Sequence, residues 1–408
     1  MTNTGDFETL DKAYGALIGS ALGDAIGIYT EFMTAEQASQ AYPSRSFSLV
    51  APVTETHQDT HRCKCSLIRA WTDDTDHTIL MILSYLRSGS LSPDDFTSRL
   101  KTWCQQGLRC LDRLPMGLGK TVGRVVFDKD FLAHPAGTAY TYWDKSGRDI
   151  APNGSLMRTT PVGVICMRRT EEETFEEAIR MGAVTHADPR CAVSVAIVSA
   201  LVRALCRGEM KSVAETDATV ERGWEYVLKA HAEYTLDRAE FEKHAYAESL
   251  EALVLCDRGL GYVYKCLGSA LWCLRQVQMS KETFDSAMIK LIMFGGDADT
   301  NGAVAGALMG ALMGYALLPP EWKDGLKYEE WYKGKIFAVC VVAGLVEGDY
   351  DAQQDTDTED DGGKGFLTED DMKRREMEIM EKMLLADQKK REALSREPKA
   401  RKKFWKFW

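Results

Sequence analysis

The stretch Phe294–Pro319, which reads FGGDADTNGAVAGALMGALMGYALLP, combines two features that indicate how the chain folds. It begins with two carboxylates, Asp297 and Asp299, one residue apart, and the rest of it carries no charge. The part Gly302–Leu318 is at the short limit of about 17–25 residues for a membrane span, but it consists mainly of Gly and Ala. Because small residues on one face let helices approach closely, this composition predicts a buried central helix rather than a membrane span.

The composition is that of an acidic chain that can bury a sizeable core. The 408 residues suffice for one large domain of roughly 250–350 residues with appendages. With a net charge of −11, the chain is not expected to bind nucleic acid stably through a basic surface. Most of the 11 cysteines lie inside apolar runs, and no basic segment precedes an apolar core at the N-terminus. We therefore expect no secretory signal and a reducing compartment, the cytosol or the nucleus.

Apolar residues recur mostly at helical spacing, and alternating strand patterns are scarce. This periodicity predicts one all-α domain over residues 6–346. Gly15, Gly19 and Gly23 are four residues apart, so they would line one helix face as a groove for a neighbouring helix. Polar, turn-rich loops are predicted at 43–69 and 112–155, and a third segment near 210–220 could simply join two helices.

The composition changes sharply towards the C-terminus. Residues 351–361 contain six acids and no base, so residues 347–367 are predicted to form a flexible, disordered acidic linker. Residues 368–408 are predicted to form a charged helix that ends in the basic and aromatic tail RKKFWKFW. Thr368 and Asp371 have the spacing of a capping box at the beginning of this helix.

A second acidic stretch, WTDDTDHTILMILSYL, shares with the first the combination of Thr and Asp before an apolar helix. Neighbouring acids repel each other unless a positive charge lies between them, and Mg²⁺ takes oxygen ligands from carboxylates, hydroxyls and water. If the two helix beginnings meet, they could hold two metal ions that orient an attacking water. The alternative is that the acids only stabilise helix N-termini. The six candidate ligands are Thr72, Asp73, Asp74, Asp297, Asp299 and Thr300.

Six stretches, in the same order along the chain, resemble the ADP-ribosylglycohydrolase family, which includes dinitrogenase reductase-activating glycohydrolases and ADP-ribosyl-acceptor hydrolases. They are GALIGSALGDAIGIYTEF, WTDDTDHTILM, GLGKT, APNGSLMRTTPVGV, THADPRCAVSVAIVSALV and GGDADTNGAVAGALMGAL. The resemblance implies a compact orthogonal bundle of helices with a binuclear magnesium centre, or manganese in some members. It also implies hydrolysis of the bond between ADP-ribose and an acceptor, either an ADP-ribosylated protein or a small ADP-ribosyl compound.

The resemblance assigns roles to individual residues as well. The six Thr and Asp residues above match the metal ligands of the family, with Ala298 where Thr is frequent. Glu31 matches an acid near the metals and the scissile bond, and Tyr29 replaces the usual proline before it. Glu31, Asp74 or Asp299 would move protons during catalysis. The positions that match substrate-contacting residues are Gly117, Gly119, Asn153, Gly154, Ser155, Met157 and His186.

Several alternatives stay open at the level of the sequence. A chain of this fold could bind ADP-ribose without cleaving it or serve a structural role, and the acceptor linkage and the oligomeric state are not assigned. His186, taken without the resemblance, is compatible with a core histidine. The segment THQDTHRCKC has the ligand density of a zinc site, although a surface loop is the simpler interpretation. The residues concerned are His57, His61, Cys63 and Cys65.

Overall fold

The computed structural model describes residues 4–56, 69–230 and 235–396, so the four candidate zinc ligands lie outside the described residues. Within these ranges the chain forms seventeen α-helices and no β-strand, which confirms the predicted all-α class. The helices are α1 (Thr4–Gly27), α2 (Ala35–Ala41), α3 (Asp73–Ser88), α4 (Pro93–Gln106), α5 (Lys120–Val126), α6 (Pro135–Lys145), α7 (Thr160–Ile165), α8 (Glu171–Gly182), α9 (Pro189–Cys206), α10 (Val213–Ala230), α11 (Arg238–Ala245), α12 (Val263–Gln278), α13 (Phe284–Ile292), α14 (Ala298–Met313), α15 (Pro320–Lys323), α16 (Glu329–Val342) and α17 (Glu369–Arg396).

The first helix packs against the small-residue helix α14 through a row of glycines, which we call the glycine seam. The glycines of α1 that the sequence placed on one face each oppose a glycine of α14, so the predicted groove is confirmed and its occupant is α14. A side chain at any of these positions would collide with the backbone of the other helix. A Cβ atom would lie 2.2 Å from the carbonyl oxygen of Gly310 if added at Gly15, 2.5 Å from that of Gly306 at Gly19, and 1.9 Å from that of Gly302 at Gly23.

The helix α14 is the buried central helix that its composition predicts. Every residue from Ala298 to Ala311 is buried. Among the described helices, one, α9, is long and apolar enough to cross a membrane, but 83% of its 18 residues are buried inside the protein. A helix in the core of a domain can be as long and as apolar as a membrane span. The apolar composition of α9 is therefore explained by its packing against neighbouring helices.

The segment 112–155, predicted as a loop, contains two helices, α5 and α6, and this part of the prediction was wrong. The helix α5 is only seven residues long and buries one face of three valines, Val122, Val125 and Val126. A helix of two turns shows too few apolar repeats to stand out from a sequence rich in Gly and Asp.

The acidic segment 351–361 was predicted to be disordered, whereas the structure packs it against the helical domain. Lys335 of α16 forms ion pairs with Asp355 (2.5 Å) and Asp357 (2.7 Å). Arg99 of α4 donates a hydrogen bond to the carbonyl oxygen of Thr358 (2.7 Å), and Thr358 is fully buried. Basic side chains that are remote in sequence neutralise these acids, and the local composition gave no sign of them.

The C-terminal helix α17, taken by itself, begins as predicted. The hydroxyl of Thr368 accepts a hydrogen bond from the backbone of Asp371 (3.1 Å), and the carboxylate of Asp371 accepts one from the backbone of Thr368 (3.2 Å). These two reciprocal bonds form the capping box, so the beginning of the predicted charged helix is confirmed.

Candidate active site

Three helix ends meet around the carboxylate of Asp24, which lies near the end of α1. Asp24 is fully buried and accepts hydrogen bonds from the backbone of Thr72 (2.9 Å) and of Thr75 (3.1 Å), at the beginning of α3. The hydroxyls of both threonines also donate to it, at 2.9 and 2.7 Å. Because the glycine seam holds α1 against α14, these bonds fix the beginning of α3 beside the beginning of α14. We call this place the acidic junction.

Two groups of three carboxylates share one residue at the acidic junction. In the first group, oxygen atoms of Asp24, Asp74 and Asp299 lie within 4.8 Å of one another. In the second group, oxygen atoms of Glu31, Asp297 and Asp299 do so. Because Asp299 belongs to both, the carboxylates surround two neighbouring positions, each suited to a cation with oxygen ligands. The two acidic stretches of the sequence therefore meet.

Burial and mutual repulsion raise the pKa values of two of these carboxyl groups. Burial, followed by the charge of Asp299, raises the pKa of Asp24 to about 6, although hydrogen bonds from Thr75 and Thr72 oppose this change. Burial and then the charges of four neighbouring carboxylates raise the pKa of Asp74 well above its usual value. In the part of the chain that the structure describes, neither Asp24 nor Asp74 forms an ion pair with Lys or Arg. A positive charge at the junction would remove the repulsion.

The donor set of the acidic junction fits a hard divalent cation. The Oδ2 atom of Asp74 lies 2.9 Å from the hydroxyl oxygen of Thr72, whose single hydrogen Asp74 shares with Asp24. The Oδ1 atom of Asp74 is buried and has no hydrogen bond within the described ranges. A buried carboxylate oxygen without a donor is costly, and a cation would satisfy it. Carboxylate and hydroxyl oxygens are the ligands that Mg²⁺ and Mn²⁺ prefer.

Helix capping does not explain these side chains. Thr72 and Asp297 occupy the N-cap positions of α3 and α14, yet neither side chain accepts a capping hydrogen bond. By contrast, Ser92 and Thr170 cap α4 and α8 by accepting from the backbone of the first turn. The polar atoms at the beginnings of α3 and α14 are instead directed to the acidic junction.

A turn of two glycines holds Glu31 against the beginning of α14. Gly295 and Gly296 both have a φ of +68°, and a Cβ atom at Gly295 would lie 2.0 Å from the carbonyl oxygen of Met33. The backbone of Gly296 donates to Met33 (3.0 Å), and that of Phe32 donates to Gly296 (2.7 Å). These bonds join the loop after α1 to the turn before α14, and they place the buried Glu31 in the second carboxylate group.

Tyr29, which stands where the family has proline, anchors the same loop. It is buried, and its hydroxyl donates to the carbonyl oxygen of Thr54 (3.0 Å). Its ring packs on those of Tyr42 and Phe47. An aromatic cluster therefore holds the loop that carries Glu31.

The remaining predicted ligands also lie at the acidic junction. Asp73, only 5% exposed, is close enough for its charge to act on Asp74. Thr300 is buried in the first turn of α14, and its backbone donates to Asp299 (2.9 Å). The structure therefore brings together the two Thr and Asp stretches that the sequence selected, and it adds Asp24 to them.

The predicted substrate-contacting turn Asn153–Ser155 lies directly against the second carboxylate group. The amide of Asn153 donates to a carboxylate oxygen of Asp297 (2.7 Å), so this turn is tied to the acidic junction. Gly154 lies beside an imidazole, since a Cβ atom there would be 3.2 Å from the Nε2 atom of His186. The other predicted side chains around this turn are buried, and they are Ser155, Met157 and His186.

The predicted glycine loop lies at the surface, at the beginning of α5. Gly117 has a φ of +91°, and Gly119 is the exposed N-cap residue of α5. An open surface cavity of about 520 Å³ lies here, with Lys120 and Arg124 among its lining residues. The side chain of Val122 in α5 lies 3.6 Å from the position of a Cβ atom on Gly154. The loop therefore leads into a helix that packs on the Asn153–Ser155 turn.

Sequence reasoning missed two charged residues of this region, Asp24 and Arg158. Each is a lone charge inside an otherwise uncharged stretch, since Asp24 is the only one between Lys12 and Glu31. An ionisable residue inside an apolar run is rarely buried without a partner. The isolated charge of each residue within an uncharged stretch was therefore the feature of the sequence that could have identified it.

The sequence model of the ADP-ribosylglycohydrolase family matches residues 6–355. The chain therefore belongs to the ADP-ribosylglycohydrolase family. The match also reaches into the acidic segment, which agrees with the packing of that segment on the helical domain.

Relatives with assigned names act on ADP-ribosyl linkages. The chain is 25% identical over 325 residues to the ADP-ribosylarginine hydrolase Tri1 of Serratia proteamaculans, covering 79% of this chain and 77% of that protein. It is also 25% identical over 338 residues to the ADP-ribosyl-[dinitrogen reductase] glycohydrolase of Rhodospirillum rubrum, covering 82% and 97%. A solved ADP-ribosylglycohydrolase-related protein complex has the same fold, with a TM-score of 0.54, 22% identity, and coverage of 83% of this chain and 99% of that one.

Proposed function

We propose that the protein hydrolyses the glycosidic bond between ADP-ribose and an acceptor, with two Mg²⁺ ions held at the acidic junction. The observation that carries this proposal is the pair of carboxylate groups that share Asp299. Membership of the family and the names of the two hydrolase relatives support it. The substrate is an ADP-ribosylated protein or a small ADP-ribosyl compound. We expect Mn²⁺ to support the reaction when it is supplied in place of Mg²⁺.

The residues that would hold the two ions are those gathered at the junction. When bound, divalent cations supply positive charge that orients the ribose hydroxyls and activates water. The residues that would act as ligands are Thr72, Asp73, Asp74, Asp297, Asp299 and Thr300.

The chain's own side chains perform the remaining tasks of hydrolysis. Cleavage of a ribosyl bond develops oxocarbenium character at the anomeric carbon, which nearby carboxylates stabilise. Glu31 lies in the second carboxylate group and is the member of that group outside the ligand set. Its carboxylate is therefore placed to take a proton from the attacking water or to protonate the leaving group. Asn153 keeps Asp297 oriented through its amide hydrogen bond.

The proposal is tested by incubating the purified protein with ADP-ribosylated proteins in Mg²⁺ and in EDTA. We expect release of ADP-ribose in Mg²⁺ and none in EDTA. Asp297→Ala should lower turnover about a thousandfold, because a metal ligand supplies several kcal/mol of transition-state stabilisation. The matched control is Asp94→Asn, which changes an exposed acid in the first turn of α4 and should leave turnover unchanged. Full activity of Asp297→Ala contradicts the proposal.

A panel of defined linkages would then identify the acceptor. Arginine-linked, serine-linked and small-molecule ADP-ribosyl substrates are compared under the same conditions. The kcat/KM of the preferred substrate is expected to exceed that of each of the others by at least about an order of magnitude. Binding of ADP-ribose without release from any member of the panel would instead show a binding protein of the same fold. We also propose that the protein is located in the cytosol.

A further inference from the structure

A buried arginine lies behind the Asn153–Ser155 turn without a carboxylate partner. Arg158 is fully buried, and in the described part of the chain it forms no ion pair. Its guanidinium lies over the ring of Phe96, 5.1 Å from the ring centre. Burial lowers the pKa of Arg158 to about 9, which leaves it cationic at neutral pH. Burying an unpaired charge costs several kcal/mol, and this cost points to a role for the hydrogen bonds that the guanidinium donates.

Those hydrogen bonds reach two parts of the candidate site. The Nη1 atom of Arg158 donates to the carbonyl oxygen of Gly154 (3.0 Å), and Nη2 donates to the hydroxyl oxygen of Thr185 (2.8 Å). The same hydroxyl lies 2.7 Å from the Nδ1 atom of His186. Since a guanidinium has only donors, the oxygen of Thr185 must accept from Arg158.

The direction of the first bond determines the direction of the second. If Nδ1 of His186 carried a hydrogen, the Thr185 oxygen would accept twice and its own hydrogen would have no acceptor. If Thr185 instead donates to Nδ1, each of these groups is satisfied. Burial and then the charge of Arg158 lower the pKa of His186 well below its usual value, so the imidazole is neutral and its single proton is on Nε2.

We propose that Arg158 and Thr185 are positioning residues that fix His186 as the Nε2–H tautomer, a donor to an oxygen of the bound ADP-ribosyl group. The Nε2 atom is buried and has no hydrogen-bond partner among the described residues. An unsatisfied buried donor costs about 1–3 kcal/mol, and a ligand oxygen over Gly154 would satisfy it. A Cβ atom on Gly154 would lie 3.2 Å from Nε2, so any side chain at this position would crowd this edge of the ring.

The first test reads the tautomer directly and needs no turnover. The full chain is labelled with ¹⁵N-histidine, and the signals of its seven histidines are compared with those of His186→Gln to assign His186. We expect an unprotonated Nδ1 and a protonated Nε2 in the unmodified protein and in Thr185→Ser, which keeps the hydroxyl. A protonated Nδ1 in the unmodified protein overturns the proposal, whatever the variants do.

The second test measures the affinity for ADP-ribose by calorimetry in the presence of Mg²⁺. This part rests on the proposed function, whereas the tautomer does not. Thr185→Val, which keeps the shape but not the hydroxyl, should bind about 10-fold more weakly, as expected for one misdirected hydrogen bond. Thr185→Ser should bind within about 2-fold of the unmodified protein. Equal binding by Thr185→Val overturns the positioning role.

A third variant separates the tautomer from the contact that it makes. Gly154→Ala covers the imidazole edge but leaves Thr185 and Arg158 in place. We expect weaker binding of ADP-ribose with an unchanged Nε2–H signal. Unchanged binding by Gly154→Ala overturns the contact over Gly154. If the unmodified protein shows the Nε2–H signal but binds no ADP-ribose, the positioning role stands and the proposed substrate is wrong.

Discussion

Carboxylates cluster in two regions of the molecule, and the two regions differ in what neutralises the repulsion between those carboxylates. In the acidic segment 351–361, the protein's own cations do so, because Lys335 pairs with Asp355 and Asp357. At the acidic junction, neither Asp24 nor Asp74 has a Lys or Arg partner in the described ranges, and burial raises the pKa of both. A cluster of acids therefore indicates an external cation only where the protein's own cations do not already neutralise it.

The largest expected difference is between Asp74→Asn at the junction and Asp357→Asn in the segment. Asp74→Asn removes a buried like charge, so the metal-free protein should unfold at a higher temperature while turnover falls about a thousandfold. Asp357→Asn removes a partner of Lys335, so the unfolding temperature should fall while turnover stays the same. Calorimetric unfolding in EDTA and the ADP-ribose release assay measure the two effects. If both variants unfolded at a lower temperature than the unmodified protein in EDTA, the carboxylates of the two regions would not differ in how their repulsion is relieved.

The glycine seam should be the next most sensitive place, because it positions the junction. Gly23→Ala puts a methyl group 1.9 Å from the carbonyl oxygen of Gly302, and we expect a loss of about 3 kcal/mol in the free energy of unfolding. Affinity for Mg²⁺ should fall as well, since Asp24 lies next to the distorted contact. The measurement is denaturant unfolding with a parallel Mg²⁺ titration.

The control for the seam is Gly334→Ala in α16, where an added Cβ atom would meet no atom within 4 Å. There the substitution should raise the free energy of unfolding by about 0.5–1 kcal/mol, because alanine favours a helix over glycine. Similar effects at Gly23 and Gly334 would contradict the role given to the seam.

A smaller loss of stability is expected when the ion pairs that hold the acidic segment 351–361 are removed. Lys335→Met removes the cation shared by Asp355 and Asp357 and leaves the partly buried acids without it, at a cost of about 2 kcal/mol in the free energy of unfolding. Affinity for Mg²⁺ should not change, because Lys335 belongs to the other region. Weaker Mg²⁺ binding by Lys335→Met would show that the two acidic regions are coupled.

The smallest effect is the pH dependence of stability without metal. The pKa of Asp24 rises from 3.8 to about 6 on folding, so between these values the folded chain holds a proton that the unfolded chain releases. The free energy of unfolding in EDTA should therefore decrease as the pH rises through this range. With Mg²⁺ the dependence should reverse, because ionised carboxylates bind the cation. Unfolding temperatures at about pH 5 and about pH 7 test this, and a rise with pH in EDTA contradicts it.

The sequence was sufficient for the parts of the fold that rest on strict periodicity. The four-residue spacing of Gly15, Gly19 and Gly23 predicted a close helix contact, and the contact exists. The shared pattern of Thr and Asp before α3 and α14 predicted that the two helix beginnings would meet, and they do. Both signals are local patterns with one physical explanation each, which is why they could be interpreted without the structure.

What the sequence did not reveal depends on partners that are distant along the chain. The acidic segment looked disordered because Lys335 and Arg99, which bind it, belong to α16 and α4. Asp24 was overlooked because its four donors, the backbone and hydroxyl groups of Thr72 and Thr75, lie about fifty residues further on. Arg158 was overlooked because its acceptors come from the turn before it and from Thr185.

The glycine seam also bears on which ion the protein would prefer. Two helices that touch through main-chain atoms have no pliable side chain between them that could yield, and Asp24 of α1 holds the beginning of α3 through its hydrogen bonds with Thr72 and Thr75. The spacing between the oxygens at the beginnings of α3 and α14 is therefore nearly rigid. Calcium needs oxygens at about 2.3–2.6 Å, whereas magnesium needs them at about 2.0–2.1 Å. We therefore expect this cage to discriminate against the larger ion through the stiffness of its frame.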